Sequence, residues 1–90
     1  MLVAVITTDK DGALQTRLDN RDAHLTYIKE TGVIAMAGPF LDTDGAMCGS
    51  LIVLDVDSVD AAESWAEDDP YNKASLFSDV RIQEWKKVVG

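Results

Sequence analysis

One cysteine, one histidine, two prolines and eight basic residues are all that this chain of 90 offers of those types, and each shortage narrows what it can be. Cys48 has no second cysteine with which to form an internal disulfide or a redox pair, which fits a reducing cytosol. No basic residue adjoins it in sequence to activate the thiol, so it reads as structural. With a lone histidine and no cysteine cluster, a zinc site is not expected. Eight Lys and Arg against sixteen Asp and Glu leave a formal charge of -8, which repels phosphate backbones and anionic membranes. Neither nucleic acid nor membrane is therefore an expected partner. Long hydrophobic runs are also missing. The apolar start, Met1 to Ile6, meets Thr7, Thr8 and Asp9 far short of a signal peptide core or the ~20 residues that span a bilayer. No export or anchoring signal is visible, and a cytoplasmic location is expected. Glycine-rich phosphate loops and a serine nucleophile elbow are absent. Asp42, Asp44 and Gly45 lack the glutamate and spacing of a calcium loop and read as a turn.

What remains is 47% apolar and 27% charged, an ordinary globular balance, in a length that encloses one core. Residues 1–90 are therefore read as a single domain. Leu2 to Thr7, rich in Val and Ile and closed by Asp9, Lys10, Asp11 and Gly12, predicts a buried strand and a loop. Ala13 to Thr31 contains no Gly or Pro, and Leu14, Leu18, Leu25 and Ile28 recur on one face of a predicted helix that Gly32 ends. Val33 to Ala37 predicts a second strand stopped near Gly38 and Pro39, and Leu41 to Gly49 a long hairpin loop. Strand three is expected over Ser50 to Val56, its unbroken apolar run suggesting burial on both faces. Ser58 caps a second helix that ends before Pro70. After a short helical or irregular piece from Asn72 to Ser78, alternation predicts strand four over Val80 to Trp85.

The order is βαββαβ, an α+β ferredoxin-like pattern of four antiparallel strands carrying both helices on one face. Its bare face would be covered most simply by a second copy, sheet to sheet, giving a homodimer.

On the first helix Arg21 falls between Leu18 and Leu25 on the leucine face, with Arg17 and His24 at its edge, so the three can project towards one pocket. Guanidinium groups grip carboxylates in a fixed fork, and a small organic acid or other anion would suit them. They can equally pack their stems and pair with Asp or Glu. His24 is open to two readings as well: a hydrogen-bonded boundary residue, or an acid–base group oriented by a carboxylate from the Asp68-Asp69-Pro70-Tyr71 stretch at the end of the second helix.

The stretch Arg17-Leu-Asp-Asn-Arg21-Asp-Ala-His24-Leu25, followed by Ala37-Gly38-Pro39, Gly49-Ser50-Leu51 and Asp69-Pro70-Tyr71, resembles the YciI-like, YCII-related family across almost the entire chain. The resemblance implies a ferredoxin-like fold paired into a dimeric α+β barrel, with a His–Asp pair in its cleft. Carried over by position, that pair is His24 and Asp69 as catalytic groups. Arg17, Arg21, Gly38, Pro39, Ser50 and Tyr71 are then the expected substrate-binding residues. Asp22 stands where many relatives have proline, and the loop from Pro39 to Gly49 is shorter than in many of them. Two functions follow, beside a purely structural reading. One is a cofactor-independent enzyme of the isomerase, lyase or hydrolase type, moving a proton on a small organic acid through His24 and Asp69. The other is a non-catalytic dimeric module that binds a small anion or regulates a partner.

Overall fold

A computed structural model describes residues 1–90. The elements run β1 (Leu2–Asp9), α1 (Leu14–Thr31), β2 (Ile34–Leu41), β3 (Met47–Asp55), α2 (Val59–Asp68), α3 (Pro70–Lys73) and β4 (Phe77–Trp85). The four strands form one antiparallel sheet in the order β2-β3-β1-β4, with the helices on one face, the expected ferredoxin-like α+β architecture. No helix is long and apolar enough to cross a membrane.

Register sorts the side chains into two faces, because successive residues of a strand point to opposite sides. Val5 pairs with Ile52 and Ile82, and Val3 with Leu54. These residues meet Ala62 and Trp65 of α2 in the buried core. Ser58 holds the start of α2 by accepting a hydrogen bond from the Ala61 N–H at 3.1 Å. Tyr27 tucks against Trp65 and donates to its carbonyl oxygen at 2.8 Å, while Trp65 Nε1 donates to Thr31 Oγ1 at 3.0 Å. These bonds hold the C-terminal half of α1 against α2.

Three expectations need correction. First, β2 does not stop at Gly38 and Pro39 but continues through both, pairing them with Leu51 and Ser50. It is an edge strand, where a missing N–H is tolerated, and its register shifts at Ile34/Met36 and at Phe40/Leu41. With β3 beginning at Met47, the loop shrinks to a tight turn. There Asp42 Oδ1 accepts from the N–H groups of Asp44 and Ala46, and Gly45 takes a φ of 81°. Second, β4 begins at Phe77 rather than Val80, because β1 runs on to Asp9 and offers it partners. Third, the leucine stripe of α1 is not its buried face. Leu14, Leu18 and Leu25 are exposed, whereas Arg17 and His24, about a quarter turn away round the helix, are buried. The reason is spatial: α1 packs chiefly on α3 and stands off the sheet, so polar side chains fill the space beneath it.

Candidate active site

The space beneath α1 is a cleft of about 180 Å³ between that helix and strands β2 and β3. Its apolar walls include Leu25, Ile28, Ala37, Pro39, Met47 and Ile52, and its polar groups are Arg17, Arg21, His24, Ser50 and Tyr71.

Arg17 is 3% exposed and clamped by Asp9, its Nε donating to Oδ2 at 2.7 Å and its Nη2 to Oδ1 at 3.0 Å. Nη2 also donates to Ser50 Oγ at 3.0 Å. Ser50 is itself pinned to β1 by its N–H, which donates to Thr7 Oγ1 at 3.0 Å. The preceding residue, Gly49, passes so close to the Thr7 carbonyl that an added Cβ would collide with it, which accounts for glycine before Ser50. Burial alone would lower the Arg17 pKa, but the hydrogen bonds and charge of Asp9 outweigh it, so the guanidinium is held more firmly protonated than usual.

Two turns further along α1, His24 Nδ1 lies 2.7 Å from Asp69 Oδ1, both residues buried. Asp69 sits between α2 and α3, where Pro70 opens the one-turn helix, and the same Oδ1 accepts the Tyr71 N–H at 3.0 Å. An ionised carboxylate only accepts, so Nδ1 carries the proton and neutral His24 has its lone pair on Nε2. That nitrogen makes no hydrogen bond within the chain, is not a sealed-off polar atom, and belongs to a ring that lines the cleft. The Tyr71 ring stacks on the imidazole, centroids 3.9 Å apart and planes 13° apart, and the Arg17 guanidinium carbon lies 4.7 Å from the Tyr71 centroid. Phe77 meets Tyr71 edge-on from β4.

Burial pushes the Tyr71 phenol above its ordinary pKa against the opposing pull of Arg17 and Arg21. Tyr27 rises too, through burial and then the charges of Asp68 and Asp69. As pH climbs past about 10 the unfolded chain releases these protons first while the native state keeps them, so stability is full below that value and falls above it. Thermal melts between about pH 8 and pH 11 should decline, and more shallowly in Tyr27→Phe. Equal slopes for the two proteins would refute this assignment.

The structure therefore brings Arg17, Arg21, His24, Ser50, Tyr71, Gly38 and Pro39 to one cleft, with Asp69 behind His24. Asp68 is exposed, and the imidazole bonds to Asp69 instead. Asp9 was not singled out in the sequence. Its signal was the alternation of β1, which puts residue 9 on the same face as Val3, Val5 and Thr7. No group of three His, Cys, Asp or Glu side chains is arranged to hold a metal ion.

The family model of the YCII-related domain matches residues 1–86. The chain belongs to the YCII-related family. Among YCII-related and similar proteins, Protein YciI of Escherichia coli O6:H1 (strain CFT073) is 32% identical over 97 aligned residues, covering 98% of this chain and 99% of that one. Among solved structures, 5-chloro-2-hydroxyhydroquinone dehydrochlorinase (TftG) of Burkholderia phenoliruptrix AC1100, in complex with 2,5-dihydroxybenzoquinone, superposes with a TM-score of 0.89. It is 36% identical, over 96% of this YCII-related chain and 94% of that one. An antibiotic biosynthesis monooxygenase shares the fold at a TM-score of 0.62 with 11% identity, over 99% and 100% of the two chains.

Proposed function

We propose that this YCII-related chain is a cofactor-independent enzyme in which His24, oriented by Asp69, moves a proton on a small organic acid. The observation that carries the reading is the imidazole itself. One nitrogen is held by a buried carboxylate at 2.7 Å and the other is unbonded beside a cleft with apolar walls. In that setting Nε2 takes a proton from an acidic C–H or O–H of the substrate, and Asp69 balances the imidazolium that forms. Arg21 and the Tyr71 hydroxyl face the oxygen on which negative charge then develops, and the proton returns at another atom or leaves with a departing group. Isomerisation and elimination both follow from this step. Elimination is favoured by the likeness to a dehydrochlorinase, since loss of hydrogen chloride begins with a proton that must be removed.

The test is hydrogen exchange in deuterated water. Small ketoacids, hydroxyacids and hydroxylated quinones are incubated with protein, and deuterium incorporation or elimination is followed by NMR. His24-dependent exchange on any of them supports the reading. Saturable binding with no exchange, alike in wild type and His24→Ala, would replace it with the anion-binding module.

The same proposal includes a homodimer built across the bare sheet face. Met36, Phe40 and Trp85 are exposed there, and Gly38 leaves a hollow over Leu51 between Met36 and Phe40. A second copy is the simplest cover for so apolar a surface on so small a domain. Sedimentation of the wild type should give twice the chain mass and Leu51→Glu the single mass; a monomeric wild type at micromolar concentration refutes the pairing.

A further inference from the structure

We infer that the cleft selects ligands that carry a single negative charge on about one ring's bulk, and that Arg21 sets the charge preference. The inference rests on the proposed site but concerns what enters it rather than what happens there.

Size comes first. An apolar cavity of about 150 Å³ holds one benzene molecule, and this cleft is about 180 Å³. One ring with a small substituent, or an acid of comparable bulk, fills it. Ile28, Pro39 and Met47 supply flat or adaptable apolar contact for such a ring.

Charge is the sharper constraint. Sixteen acidic residues give this protein its negative balance, yet not one of them lines the cleft. Of the two arginines that do, Arg17 is already neutralised by its bidentate pairing with Asp9. Arg21 forms no ion pair with any carboxylate of the chain and lines the cleft together with Tyr71. Arg81 pairs with Ile6 on the other side of the sheet, and no lysine lines the cleft. The cleft therefore offers one uncompensated cation, enough for one ionised oxygen. A second negative charge would find no partner. It would also face the carboxylate of Asp69 behind the His24 ring, in a protein that is already strongly anionic. Dicarboxylates and phosphate dianions are disfavoured on these grounds.

The experiment uses three one-ring probes: benzoate with one charge, benzamide of the same heavy-atom count with none, and phthalate, one carboxylate bulkier, with two. Binding to the full chain is read from the ring signals of His24 and Tyr71 by NMR. Benzoate should bind about five- to tenfold more tightly than either of the others. Arg21 is exposed, so Arg21→Gln is expected to fold normally; it should erase the benzoate-to-benzamide preference, and Arg21→Glu should reverse it. Phthalate binding as tightly as benzoate, a preference that survives Arg21→Gln, or no benzoate response even at tens of millimolar would each overturn the inference. Because nothing here depends on turnover, failure is separable from that of the proposed function. A charge preference without His24-dependent exchange removes the enzyme and leaves the selectivity, and the converse removes only the selectivity.

Discussion

His24→Ala is expected to slow the proton transfer by a factor of about 10²–10⁴, the usual contribution of a positioned acid–base group. The fold should survive, because the imidazole's bonding runs to Asp69 and the face of Tyr71, both of which have other supports. Asp69 still accepts the Tyr71 N–H, and Tyr71 still packs against Phe77 and Arg17. Asp69→Asn should cost less rate, since the base remains, but it removes the group that keeps the proton on Nδ1. Nitrogen-15 shifts of the lone imidazole give an independent reading. In the wild type Nδ1 should read as protonated and Nε2 as bare in the neutral form, and the tautomers should mix in Asp69→Asn. If exchange on the best substrate is equally fast in wild type and His24→Ala, the imidazole is structural and the assignment fails. Added imidazole restoring part of the lost rate would locate the defect in the missing base rather than in a disturbed cleft.

Asp9→Ala should cost about 3–5 kcal/mol of stability. The loss comes less from the pair's own attraction than from the Arg17 charge left buried without a counterion, since the side chains are only 5% and 3% exposed. Against a total of about 5–15 kcal/mol for a domain, much of the population would unfold near physiological temperature. Replacing both partners together, Asp9→Leu with Arg17→Met, should recover a good part of the loss, because no orphaned charge remains. Chemical denaturation of the single and double variants measures this directly. A single variant within about 1 kcal/mol of wild type would mean that water reaches the guanidinium and the pair is not sealed.

The fold was legible because its signals are periodic: Val3 and Val5 against Ile52 and Leu54, the Ser58 cap, Gly32 in the left-handed conformation at the end of α1. The orientation of α1 was harder to read. Hydrophobic spacing pointed to Leu14, Leu18 and Leu25, but spacing reports burial only where a helix lies directly on an apolar surface, and this one stands over a cleft. Arg17, Arg21 and His24 were legible as a group, since three and four residues separate neighbours on a helix. That Arg17 and Arg21 differ was not legible. The distinction depends on Asp9, contributed by the end of a strand whose last two residues look like the start of a loop. Asp69 could be chosen over Asp68 only through likeness to a family. Geometrically the choice follows from Pro70, which breaks α2 and turns one carboxylate inward while its neighbour stays in solvent.

Pro39 has a second effect, away from the cleft. An edge strand presents a row of free backbone groups that can template pairing with any other extended chain. On β2 that row lacks one donor at Pro39 and is thrown out of step by register shifts on both sides of it. Chains of this sequence are thereby steered from end-to-end sheet extension, the route to fibres, while their sheet faces stay free to meet. The residue at the lip of the cleft thus also makes β2 a poor template for edge pairing.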